Sequence, residues 1–136
     1  MSQRTLVLLK PDAVRRGLVG EILGRFEAKG LAIDAMDLRT IDGDVADQHY
    51  AEHVERDFYP PLRTFITSGP LVAMVLSGDE AVEVVRGLLG STDGRKAAPG
   101  TIRGDLSLSN RENLAHGSDS PESAEREIKL WFPDLG

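Results

Sequence analysis

Cysteine is absent from the 136-residue chain. That excludes disulfides, thiolate metal sites, iron–sulfur clusters and a cysteine nucleophile, and it fits a reducing compartment. Aromatic residues are scarce, at 5% with a single tryptophan. Three of them, Tyr50, Phe58 and Tyr59, fall together in a polar stretch, as core or as a stacking surface for a base. No apolar run nears the ~18 residues of a membrane helix. The start offers only Thr5 to Leu9 before Lys10, too short a stretch for a signal peptide. The expectation is a cytoplasmic protein with no membrane partner. Basic residues are outnumbered, 16 Lys+Arg against 22 Asp+Glu for a net charge of -6, which argues against wholesale binding to nucleic acid. Two common phosphate motifs are also missing, Gly-x-x-x-x-Gly-Lys-[Ser/Thr] and Gly-x-Gly-x-x-Gly.

What is present is a regular alternation of elements. Thr5 to Leu9 reads as a buried strand stopped by a turn at Lys10, Pro11 and Asp12. Leu18, Val19, Ile22, Leu23 and Phe26 recur at helical spacing, with Gly30 as the stop. A second strand follows over 31–38. The polar region 40–61 holds a short helix over 44–55, and Pro60-Pro61 opens another reaching about Ser68. Leu71 to Leu76 is the strongest strand. Asp79 is placed to cap a helix over 80–89 that Gly90 ends. Residues 90–111 carry four glycines and few large apolar groups, a stretch without clear structure of the kind that is usually functional. A short strand at 113–116 and a helix from the Ser120 cap and Pro121 to about Trp131 complete the order. The pattern predicts an α+β fold, a ferredoxin-like βαββαβ sandwich. Its four-stranded antiparallel sheet carries packed helices and a helical insert, in one domain spanning 1–136.

The irregular stretch differs in charge from the rest. Residues 86–111 hold Arg86, Arg95, Lys96, Arg103 and Arg111 against Asp93 and Asp105. A glycine-rich basic loop with hydroxyls at Ser91, Thr92 and Thr101 has donors for phosphates. Charge alone fits a solvated loop with paired arginines equally well. His116 sits where a strand runs into a loop that enters a helix. One imidazole nitrogen can serve there as nucleophile while the other is held by an acceptor, and Glu122, Glu125 and Glu127 follow on the helix. A buried histidine satisfied by backbone is the plainer alternative. His49 and His53 are four apart, a metal-ligand spacing, but no third ligand stands near them in sequence and the His-Glu-x-x-His form is missing.

These residues form recognisable motifs. Asn113-Leu114-Ala115-His116-Gly117-Ser118-Asp119-Ser120, with Glu122 and Glu125 after it, resembles the active-site signature of nucleoside diphosphate kinases. The likeness extends through residues 5–12, 16–21, His49-Tyr50, 68–70, 99–105 and 130–132, nearly the whole chain. It implies transfer of the γ-phosphate from a nucleoside triphosphate, such as ATP or GTP, to a nucleoside diphosphate, which maintains nucleotide pools. The implied reaction is ping-pong through a phosphohistidine. Mg2+ would ride on the nucleotide phosphates with no protein ligand. The nucleophile carries over to His116. Lys10, Arg86, Thr92, Arg103 and Asn113 match positions that contact phosphates or ribose. Tyr50 matches a position near the γ-phosphate, Phe58 the aromatic that stacks on the base with Leu62 beside it, and Ser118 and Glu127 the pair that orients the imidazole. Arg95 and Lys96 match no family role and are expected to be solvated. Stacking without many hydrogen bonds would accept purines and pyrimidines alike.

The chain departs from the family pattern at Gly94, where many members have proline, which is expected to loosen the loop after Thr92. Pro60-Pro61 replaces a small-residue pair, and the longer tail of many eukaryotic members is absent. The resemblance also implies a homo-oligomer, with a hexamer favoured over a tetramer. Two other readings have a physical basis. A non-catalytic nucleotide sensor would lack the nucleophile or its supports, yet His116, Ser118, Glu127, Lys10 and Arg103 are all present. A nucleic-acid binder would use the basic loop, against the overall negative charge.

Overall fold

The computed structural model describes residues 2–135. Four strands, β1 (Ser2–Leu9), β2 (Ala32–Arg39), β3 (Leu71–Asp79) and β4 (Ala115–Gly117), form one sheet in the order β2-β3-β1-β4. Every pairing is antiparallel. The architecture is the expected α+β sandwich. The helices are α1 (Pro11–Arg15), α2 (Val19–Lys29), α3 (Gly43–His49), α4 (Tyr59–Ile66), α5 (Ala81–Leu89), α6 (Ile102–Leu106) and α7 (Pro121–Trp131). Among the described residues no helix is long and apolar enough to cross a membrane.

Alternate residues of a strand face opposite sides, and both sides of this sheet are covered. Val7 and Leu9 of β1, with Val72, Met74 and Leu76 of β3, pack against Ile22 and Phe26 of α2 and Val85 and Leu89 of α5. Leu6, Leu8, Ala73 and Val75 face the other way, onto Ala46 of α3, Tyr59 and Ile66 of α4, and Ile128 and Trp131 of α7. The insert and the last helix thus roof one side while the two crossover helices close the other.

Several local expectations need correction. Asp79 does not cap α5. It is the last residue of β3, opposite Ser2. The free N–H of Val82 is accepted at 3.3 Å by the Gln3 side chain instead, so the neighbouring strand serves the helix end. The helix predicted over 44–55 stops at His49. Beyond it the backbone runs in three-residue turns, His53 N–H to the Tyr50 carbonyl and Arg56 N–H to the His53 carbonyl. Residues 51–58 are exposed and offer no apolar stripe to anchor another helical turn. Lys10 to Asp12 is the start of α1, with proline in its first turn. The unstructured stretch contains α6, capped by the Thr101 hydroxyl accepting the Gly104 N–H at 3.0 Å. The predicted Ser120 cap is present, accepting the Ser123 N–H at 3.1 Å.

Candidate active site

β4 positions the central histidine. His116 lies opposite Leu8 and so projects to the roofed side, while Ala115 and Gly117 face the other. Gly117 is needed there, because a Cβ would lie 2.9 Å from Val85 and 3.1 Å from Leu89 of α5. From α7, the Glu127 Oε1 sits 2.9 Å from His116 Nε2 and accepts the Ser118 hydroxyl at 2.7 Å. The Ser118 oxygen in turn accepts the Leu6 N–H at 3.2 Å. Glu127 and Ser118 are both buried. An ionised carboxylate only accepts hydrogen bonds, so the proton of a neutral His116 belongs on Nε2 and the lone pair on Nδ1.

A second imidazole stands beside the first. The ring of His49 meets that of His116 edge-on, with centroids 4.6 Å apart. The Trp131 indole N–H donates to His49 Nδ1 at 3.0 Å. Indole is a donor only, so His49 Nδ1 carries no proton. Burial holds its pKa well below the usual histidine value, and the ring stays neutral. His53, four residues on, is exposed with its ring 5.6 Å from Phe58. The spacing of 49 and 53 is thus not the relevant one. The ligating atoms of His49, His116 and Glu127 lie within 4.8 Å of one another. Two of those three residues are already engaged with each other, and the third accepts the indole proton. Nothing in sequence spacing signals this cluster, since it joins α3, β4 and α7.

A cavity of about 640 Å³ opens over His116. At its floor Lys10 Nζ donates to Asn113 Oδ1 at 2.9 Å, and Asn113 Nδ2 donates to the Thr92 carbonyl at 3.0 Å. Burial, assisted by the Arg103 charge, lowers the Lys10 pKa to about 8, while Asp12 opposes the shift. Arg103 spends its donors on backbone carbonyls: Asn113 at 3.2 Å, Gly90 at 2.9 Å and Ala115 at 2.6 Å. Burial, then the Arg86 charge, brings it down to about 10. Arg86 of α5 lines the cavity with Thr92. Tyr50 lines it too, buried, with a hydroxyl that has no protein partner. At the outer rim lie Phe58, 51% exposed, and Leu62.

All eleven residues singled out from the sequence, except Ser118, line this cavity; Ser118 stands behind Glu127. The basic loop is not a uniform patch. Arg95 is exposed and paired to Asp93 at 2.8 Å, and Lys96 is exposed. Arg111 of the basic loop also reaches the cavity, as does Arg126 of α7, which the sequence did not single out. Gly94 is buried and tied to the neighbouring segment. Its N–H donates to the Ser109 carbonyl at 3.0 Å, a bond proline could not make, and a Cβ there would run into Ser107.

The family model described as nucleoside diphosphate kinase matches residues 3–135. A nucleoside diphosphate kinase of Nocardioides sp. is 78% identical over 99% of this chain and 100% of its own length. That of Rhodococcus jostii is 66% identical over 99% of this chain and 98% of its own. Among solved structures, a halophilic nucleoside diphosphate kinase from Halobacterium salinarum in complex with CDP superposes with a TM-score of 0.96. It is 48% identical, over 98% of this chain and 90% of that one.

Proposed function

The chain belongs to the nucleoside diphosphate kinase family and is a phosphotransferase acting between nucleotides, and we propose that His116 carries the phosphate. In the first half-reaction His116 Nδ1 attacks the γ-phosphorus of a nucleoside triphosphate. The N–P bond forms as the bond to the bridging β–γ oxygen breaks, and the diphosphate leaves with the electron pair. A second diphosphate reverses the step. The proton stays on Nε2, hydrogen-bonded to the Glu127 carboxylate, so the carboxylate stabilises the ring as it becomes positive. The observation that carries this reading is the 2.9 Å contact between His116 Nε2 and Glu127, which leaves Nδ1 as the attacking atom.

Lys10, Arg86, Arg103, Thr92 and Asn113 are assigned to the phosphates and ribose, and Tyr50 to the γ-phosphate. Phosphoryl transfer asks for positioning and neutralised charge, and the cations gathered at one end of the cavity can supply both. Phe58 and Leu62 are assigned to the base, which Phe58 can stack upon from its exposed rim. Mg2+ fits this site as an ion borne by the phosphates. Glu127 is engaged by His116 and Ser118, and Ser123 holds Asp119 below the usual carboxylate range. When bound, the ion supplies further neutralisation of phosphate charge.

We also infer a single working domain, a cytoplasmic location and a homo-oligomer, with a hexamer favoured over a tetramer. Met36 and Leu38 on the edge strand β2, 52% and 64% exposed, and Leu108 at 87% are apolar surface that assembly would bury. Light scattering gives the subunit count. The central test is incubation with γ-labelled ATP. The protein should take up acid-labile, alkali-stable phosphate and yield it to any added diphosphate. His116→Ala should take up none while remaining folded. Full labelling of His116→Ala would end the reading.

A further inference from the structure

The segment that leads into His116 is strained. Leu114 has φ 75°, one of two non-glycine residues with positive φ among the described residues. The Ala115 N–H donates to the Asn113 carbonyl, two residues back, at 2.9 Å. Positive φ with that bond is the rare, strained form of γ-turn, and such a conformation persists only where its surroundings impose it. The surroundings are the start of α1. The Lys10 N–H donates to the Leu114 carbonyl at 2.8 Å, and the Asp12 Oδ2 accepts the Leu114 N–H at 3.1 Å. Both polar backbone groups of the strained residue are thus held from one short helix, more than 100 residues away in sequence. On either side of Leu114 stand Asn113, bonded to Lys10 Nζ, and the strand that bears His116.

We propose that Asp12 is a positioning residue for phosphoryl transfer: its carboxylate latches the strained Asn113–Ala115 turn and sets its negative charge against the cations of the cavity floor. The proposal rests on the roles given above to His116 and Lys10. Asp12 is 3% exposed, and its Oδ1 has no partner. Burial pushes its pKa up, so keeping a carboxylate there costs stability at neutral pH. An apolar or amide side chain would avoid that cost. The charges facing Lys10 are Arg103 from α6 and Asp12 from α1. His49 of α3 is held neutral, and Arg86 of α5 acts on Arg103. Asp12 is therefore the negative group in this set, and its charge favours the protonated form of Lys10 against burial and Arg103.

The test separates the latch from the charge. Asp12→Asn keeps an oxygen for the Leu114 N–H and removes the charge; Asp12→Ala removes both. The first readout is the titration of the lysine side chains by carbon NMR without nucleotide. The chain has four lysines, and the Lys10 signal is assigned by its loss in Lys10→Arg. In Asp12→Asn the Lys10 midpoint should fall from about 8 by roughly half to one pH unit. The second readout is single-turnover phosphorylation of the enzyme, which in Asp12→Asn should decline at correspondingly lower pH. In Asp12→Ala it should also slow tenfold or more at every pH, with the nucleotide dissociation constant changed less than threefold. An unmoved Lys10 midpoint in Asp12→Asn overturns the proposal, and so does a wild-type phosphorylation rate in a folded Asp12→Ala. Should Asp12→Ala fail to fold, the Asp12→Asn titration decides alone. A wild-type chain that forms no phosphoenzyme would instead refute the role of His116, a result the lysine titration does not depend on.

Discussion

The two sides of the sheet are held by different physics. On the side of α2 and α5 the core is apolar at its centre, built on Val7, Leu9, Ile22, Phe26, Val85 and Ile102. On the side of α3, α4 and α7 an apolar centre shelters His49, Ser118 and Glu127, each buried and each hydrogen-bonded. The first side requires volume and shape, and many hydrophobic residues meet that demand. The second requires particular donors facing particular acceptors, since a buried polar group left without its partner costs more than the bond is worth. One side should therefore answer to mutation in stability and the other in rate.

The sharpest way to break that contrast is at Phe26, fully buried between α2 and the sheet. Phe26→Ala should cost about 3–5 kcal/mol of unfolding free energy, measured by denaturant titration. The fraction that stays folded at low temperature should phosphorylate at nearly the wild-type rate. Next come the two arginines. Arg86→Ala and Arg103→Ala should each lose about 2–4 kcal/mol of transition-state stabilisation in single-turnover kinetics. Only Arg103→Ala should also lower the melting temperature, because Arg103 ties three carbonyls together. Equal melting temperatures would show that those bonds contribute little to the fold.

Glu127→Gln sharpens the comparison further. The amide keeps shape and an acceptor but loses the charge. Exchange should slow by roughly ten- to a thousandfold with little change in nucleotide affinity. Lost nucleotide binding with an unchanged phosphorylation rate would refute the orienting role. Glu122→Gln and Glu125→Gln, exposed on the same helix, should be nearly silent. The smallest effect belongs to Arg95→Ala. Its pair with Asp93 is 64% exposed on the arginine side, and such pairs are worth about 0–1 kcal/mol. Stability and exchange rate should both stay near wild type. A loss there as large as at Arg86 would mean that the loop acts as one diffuse patch of charge.

The two sides also differ in how far they can be read from sequence. Periodicity finds α2, α5 and the strands because their apolar spacing reports burial directly, and the Ser120-Pro121 pair marks the start of α7. It misses α1 and α6, which have five residues each, too few for a repeat to register. It also misassigns Asp79, whose capping chemistry is overruled by three more residues of sheet pairing, Ser77 to Asp79. The motif around His116 points to the site residues as a set, but not to how each is used. That Arg103 faces backbone carbonyls, that Trp131 fixes the tautomer of His49, and that Leu114 is strained all depend on contacts between distant segments. No local pattern encodes such contacts.

β4 is three residues long and pairs with β1 alone, and the bond from the Leu6 N–H to the Ser118 hydroxyl spans 112 positions. Contacts of that separation close late in folding, because the loop entropy must be met before the contact returns anything. A chain still emerging from the ribosome can complete β1, α2, β2, β3 and α5, yet cannot brace His116 until α7 has followed it. A refolding experiment should accordingly recover most of its helical signal before it recovers any capacity to take up phosphate. Half-made molecules would then bind no phosphate covalently and withdraw nothing from the nucleotide pool.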